Sequence, residues 1–166
     1  MNSKVYPLIQ LLFVLIITNA YSSAFADDTY SVENPLEHQT NIPKSILSDL
    51  SKKIDLQQYG CLENEISETL EASAINLNSS FNHILVKPKA WCLCGANYCP
   101  VWIYQLNKKN TRLIWSSPGT SYVEILDKKN RRYKQIRDGG GTAGHEHQTT
   151  WVWDGKKYSQ TGANHN

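Results

Sequence analysis

Tyr122-Val123-Glu124-Ile125-Leu126-Asp127-Lys128-Lys129-Asn130-Arg131-Arg132-Tyr133-Lys134-Gln135-Ile136 reads as a strand, a polar break and a returning strand. β-Branched and aromatic residues occupy both flanks, and the polar cluster Asp127–Asn130 marks the turn between them. The same layout occurs on either side. Upstream, Pro100-Val101-Trp102-Ile103-Tyr104-Gln105-Leu106 runs into Asn107-Lys108-Lys109-Asn110, and Arg112-Leu113-Ile114-Trp115 returns. Downstream, Trp151-Val152-Trp153 turns at Asp154-Gly155 and Lys156-Lys157-Tyr158 returns; Asp-Gly is the strongest short hairpin signal. Three successive hairpins predict an antiparallel meander, and Asn82-His83-Ile84-Leu85-Val86 adds a strand before it.

Working towards the N-terminus, the pattern becomes helical. Ile42-Pro43-Lys44-Ser45 places Pro in a first turn, Ile46, Leu47, Leu50 and Ile54 recur at helical spacing, and Gly60 can end the element. Leu62, Ile66 and Leu70 repeat every fourth residue and predict a second helix. The expected fold is therefore α+β: an N-terminal helix or helices packed on an antiparallel β-meander of about six or seven strands. The expected divisions are 1–26 signal peptide, 27–41 polar N-terminal segment, 42–160 single α+β domain and 161–166 C-terminal tail.

The signal assignment rests on order. Lys4 is followed by the apolar run Leu8–Ile17, then by small and polar residues ending Ala24-Phe25-Ala26. Charge, a short apolar stretch and an A-x-A site make a secretory signal, cut before Asp27. A membrane anchor is the alternative, but the run is only about half of the roughly 20 residues a spanning helix needs. Export gives the cysteines meaning. Cys61, Cys92, Cys94 and Cys99 are even in number, and an oxidising compartment favours two disulfides. Three pairings exist; the spacing prefers Cys94–Cys99 with Cys61–Cys92. Cys-x-Cys differs from the usual zinc knuckle, and the Cys-x-x-Cys of a redox enzyme is absent.

With 166 residues, 40% hydrophobic and 10% aromatic, the chain has room for one packed domain, and a disordered protein is excluded. A net charge of +2 does not imply nucleic acid. The total conceals an asymmetry. Residues 27–86 hold three basic and ten acidic side chains, whereas residues 87–166 hold thirteen basic and five acidic. Either the two halves neutralise each other inside one molecule, or the basic half meets an anionic partner.

Lys128, Lys129, Arg131, Arg132, Lys134 and Arg137 place six cations within ten residues. Only Tyr133 interleaves with them, whereas a single-stranded nucleic-acid platform needs several stacking rings. The plain reading is an edge strand kept soluble by charge; the functional one is a contact for an acidic protein or an anionic glycan. Arg131, Arg132, Lys134 and Arg137 are the candidate contact residues, with Trp151 and Trp153 beside them, since aromatics and Arg favour interfaces. Those tryptophans, with Trp102 and Trp115, can equally be core. In Gly139-Gly140-Gly141-Thr142-Ala143-Gly144-His145-Glu146-His147, no helix follows the glycines, so a phosphate cradle is not expected. His145 and His147 share one face of an extended chain and could hold a metal ion with a third ligand, for which His83 and His165 are the candidates, while Glu146 faces the other way. No Gly-x-Ser-x-Gly elbow or His-Glu-x-x-His helix is present, and Glu63, Glu65, Glu68 and Glu71 read as a solvated face.

Ala74-Ile75-Asn76-Leu77-Asn78-Ser79-Ser80-Phe81, leading into His83-Ile84-Leu85-Val86, resembles the Asp-Leu-Asn-x-Asp-Gly loop of FG-GAP and VCBS-like repeats in exported bacterial proteins. Cys94-Gly95-Ala96-Asn97-Tyr98-Cys99-Pro100-Val101-Trp102-Ile103-Tyr104 and Trp153-Asp154-Gly155-Lys156-Lys157-Tyr158 are similar to segments of small periplasmic proteins sharing that loop. The resemblance implies compartment and architecture. It also implies a lost calcium site, because Asn76, Asn78 and Ser80 replace the acidic positions and Phe81 the glycine. The expectation is an exported, soluble, non-catalytic binding or inhibitor-like module of the bacterial periplasm. It would need no cofactor, bind no nucleic acid and stay out of the membrane once the signal is removed. The competing expectation is a metal-binding protein or hydrolase-type enzyme centred on His145, Glu146 and His147.

Overall fold

The computed structural model describes residues 28–61, 65–89, 91–108, 110–142 and 145–165, so the expected signal peptide lies outside the described residues. Nine strands form two antiparallel sheets among these residues. The four-stranded sheet has the order β2 (Leu70–Ile75), β3 (Asn82–Pro88), β4 (Cys99–Leu106), β5 (Thr111–Thr120). The five-stranded sheet is β1 (Asp28–Ser31), β6 (Tyr122–Asn130), β7 (Tyr133–Thr142), β8 (His145–Trp153), β9 (Tyr158–His165).

This corrects the single meander of six or seven strands. The chain leaves one sheet for the other after Thr120, where a lone Ser121 separates β5 from β6. Facing side chains of the two sheets build the main core: Leu85, Val101, Ile103 and Trp115 from one, Val123, Ile125, Ile136 and Trp153 from the other. Each fully buried aliphatic side chain contributes about 1.5–3 kcal/mol. A second cluster gathers Ile84, Val86, Trp102 and Tyr104 with Leu93 and with Ile46 and Leu50 of the helix α1 (Lys44–Leu50). Strands β3 and β4 are thus covered on both faces, which is why they read as continuous apolar runs rather than alternating ones.

Helices are fewer and shorter than expected, and the described chain opens with a strand rather than a helical layer. Helix α1 stops at Leu50, well short of Gly60, and α2 is a single turn, Ile66–Thr69, before Leu70 turns extended. The segment read as lying ahead of the domain belongs to it. β1 pairs with β6, and Val32 and Leu36 enter the core. At the other end β9 runs through most of the expected tail.

The N-terminal segment is fastened by polar chemistry. Glu71 and Lys87 face each other across β2 and β3 and form a buried ion pair of 2.5 Å. Glu71 also accepts from the Leu36 amide (3.4 Å) and Gln39 Nε2 (3.1 Å), and Lys87 Nζ donates to the Val32 carbonyl (3.3 Å). The solvated role expected of Glu71 is therefore wrong: its carboxylate is inside and fully engaged. Cys61–Cys92 and Cys94–Cys99 are bonded, the pairing preferred from the spacing. Among the described residues, no helix is long and apolar enough to cross a membrane.

Candidate functional site

The turn of β2–β3, the turn of β4–β5 and the tips of β6–β7 and β8–β9 meet at one end of the two sheets. Between them lies a cleft of about 600 Å³ whose lining includes Phe81, Gln105, Asn107, Asn110, Arg112 and Tyr133. Asn78 Oδ1 closes the first turn by accepting the amides of Ser80 (2.9 Å) and Phe81 (3.1 Å), which leaves the Phe81 ring partly in solvent. Asp154 closes the last turn in the same way, on the amides of Lys156 (2.7 Å) and Lys157 (2.8 Å). The Lys157 and Lys156 amides hold the Asp154 carboxyl below the usual carboxylate range.

One guanidinium is built into the cleft wall. Arg112 lies over the Trp153 ring (5.7 Å to its centre) and donates from Nη2 to Gln105 Oε1 (2.5 Å). Gln105 Nε2 donates in turn to the Tyr133 hydroxyl (3.1 Å), and Tyr133 stacks on Trp153 with ring centres 4.1 Å apart. Behind this floor stands His83, the cross-strand partner of Gln105, with its ring edge-on to Tyr133 at 5.8 Å. His83 is only 1% exposed, and neither ring nitrogen finds a hydrogen-bond partner among the described residues. Burial pulls its pKa down to about 4, so the ring is neutral at pH 7.

The basic tip is a turn, not the strand expected. The turn predicted at Asp127–Asn130 falls instead at Arg131-Arg132, because β6 continues to Asn130 past an irregularity between Leu126 and Lys129. Asn130 then pairs with Tyr133 across a two-residue loop of Arg131 and Arg132, both at positive φ (48° and 71°). Arg131 Nη1 donates to the Asp154 carbonyl and so links this tip to the next one. Gly155, itself at φ 113°, lines the cleft beneath: a Cβ there would lie 3.1 Å from Arg131 Nη1.

The remaining candidates separate. Lys134 pairs with Asp127 (2.7 Å) and Arg137 with Glu124 (2.9 Å), so both are engaged within the sheet. Trp153 is buried in the aromatic stack; Trp151 packs edge-on to Trp115 and donates from its indole N–H to Asp138 (2.7 Å). Their main role is core. On β8, His145, Glu146 and His147 are exposed at the far end of the strand from Trp153. His147 stacks against Tyr98 (6.1 Å), and no group of three or more potential metal ligands comes together among the described residues. Gly139, Gly140 and Gly141 belong to β7, where Gly140 lets Tyr98 lie across the strand: a Cβ there would be 2.7 Å from the Tyr98 ring.

The sequence did not single out Arg112, and it offered His83 only as a candidate third metal ligand. Arg112 was legible as a charge beside a turn, but nothing in the chain pattern tells that it faces Trp153. No protein-family model matches the chain, and no curated protein or solved structure matches it.

Proposed function

We propose that this protein is an exported, non-catalytic binding module of the bacterial periplasm that engages an anionic partner through its basic hairpin tips. The observation that carries the reading is the Arg131–Arg132 turn. Both residues adopt the left-handed region, which costs an L-residue other than Gly or Asn about 1–2 kcal/mol. Asn-Gly would fill such a turn without strain. Both arginines are exposed, so packing does not explain them, and strain retained at an exposed pair of cations points to a contact. The neighbouring tips add Lys156, Lys157 and Lys108. The disulfides and the resemblance to exported bacterial proteins support the compartment.

The test is a pull-down from envelope extract with the oxidised protein, repeated with the double variant Arg131→Glu/Arg132→Glu. A partner that is released by salt and lost in the double variant is the expected result. A partner held equally by both proteins, or none, overturns the reading.

A further inference from the structure

We infer that the cleft beside the arginine turn is a subsite for an acidic sugar ring, which makes the anionic partner a glycan bearing carboxylates. The inference rests on the anionic-partner reading and narrows it by the chemistry of the lining. Two carboxamides, Asn107 and Asn110, face the space, backed by the buried Gln105, whose amide is engaged by Arg112 and Tyr133. Each carboxamide offers a donor and an acceptor on one plane, which suits the adjacent hydroxyls of a sugar. The volume, about 600 Å³, is that of an ordinary small-ligand site, and its lining mixes aromatic rings with amide side chains. An acidic peptide would call for cations in a row; here a single guanidinium stands among neutral groups.

That guanidinium is preorganised. The Trp153 face below it and the bond to Gln105 fix its plane, and its other N–H groups remain for a carboxylate, which Arg meets in a forked geometry. Tyr133 accepts from Gln105 and keeps its own O–H to donate. Phe81, 41% exposed at the opposite rim, supplies an aromatic surface for the apolar face of a ring. The chain outside the ring would then cross the low rim at Gly155 towards Arg131 and Arg132.

Calorimetry on the purified, oxidised protein tests this with tetramers of galacturonate, glucuronate and mannuronate, their neutral methyl esters, and tetraglutamate. The expected result is saturable binding of at least one tetrauronate, weakened roughly tenfold or more by methyl esterification and by Arg112→Gln. Arg112→Gln takes a partner from the buried Gln105 Oε1, so its thermal midpoint is expected to fall somewhat, and binding is compared at a temperature where both proteins are fully folded. Three outcomes overturn the inference: no tetrauronate binds, Arg112→Gln binds as wild type does, or tetraglutamate binds as tightly as the best uronate. Should tetraglutamate bind and depend on Arg131 and Arg132 alone, the glycan subsite fails while the anionic-partner reading stands. Should no anion bind and the pull-down also find no partner, both fail.

Discussion

Replacing Arg131-Arg132 by Asn-Gly should make the protein more stable and worse at binding. The two arginines hold φ values of 48° and 71°, and relief of about 1–2 kcal/mol at each gives about 2–4 kcal/mol. Two losses offset this. The Arg131 bond to the Asp154 carbonyl is exposed and is worth about 0.5–1.5 kcal/mol. Glycine adds freedom to the unfolded chain, costing about 0.5–1 kcal/mol. The expected net gain is about 1–2 kcal/mol, or about 3–8 °C in Tm for a domain of this size. Urea denaturation followed by tryptophan fluorescence reads it as a higher midpoint at unchanged slope. Binding to the envelope partner should fall in the same variant. A midpoint equal to or below that of the wild type would mean the turn is unstrained and would remove the argument for a contact at these arginines.

Two further outcomes follow from the interior. His83 takes its proton only near pH 4 when folded but near its ordinary value when unfolded, because burial disfavours the cation. Its contribution is thus fully present above about pH 6.5 and is lost as the pH falls to about 4. The loss is on the order of 3 kcal/mol; urea titrations at pH 7, 5.5 and 4 should show it in the wild type and much less of it in His83→Leu. Equal losses in both proteins would assign the acid sensitivity elsewhere. Lys87→Met strands the buried Glu71 carboxylate and should cost about 3–5 kcal/mol, whereas Lys87→Met/Glu71→Leu should recover most of it. A double variant no more stable than the single one would show that the pair is needed for more than mutual neutralisation.

Where the chain was legible, local pattern and tertiary demand agreed. The hairpin around Asn107–Asn110 forms as read because turn chemistry and flanking apolar residues point the same way, while that at Asp154-Gly155 forms with a four-residue loop, Asp154–Lys157, so that Lys156 and Lys157 lie in the turn and not in the returning strand. β2 was hidden for a physical reason. Leu70-Glu71-Ala72-Ser73-Ala74-Ile75 continues the fourfold spacing of Leu62 and Ile66, and its alternation is masked because both faces are buried, one with Glu71 and one with Ala72. The displacement of the basic turn from Asp127–Asn130 to Arg131-Arg132 has another cause: arginine has no turn preference, whereas Asp127 and Asn130 carry the turn signal. β1 is four residues, Asp-Thr-Tyr-Ser, with no apolar run to announce it. The cleft depends on four turns that are far apart in the chain, and only topology brings them together.

The opposite charges of the two halves can now be weighed. Had they existed to neutralise each other, ion pairs would join the halves. Among the described residues four ion pairs form, and Lys87–Glu71 alone links residues before 87 to residues from 87 on. Lys53 pairs with Asp49 inside the acidic half, while Lys134 and Arg137 pair with Asp127 and Glu124 inside the basic one. The basic half thus pairs two of its five carboxylates within its own sheet, and the hairpin tips hold Arg132, Lys156 and Lys157, which form no ion pair among the described residues, beside the single carboxylate of Asp154. Like charges gathered at one end repel, a cost that internal neutralisation would have avoided. That cost adds to the strain of Arg131 and Arg132 at the same tip, and the two observations are independent, one electrostatic and one conformational. An anion bound across the tips relieves the first and explains why selection for stability has not relieved the second.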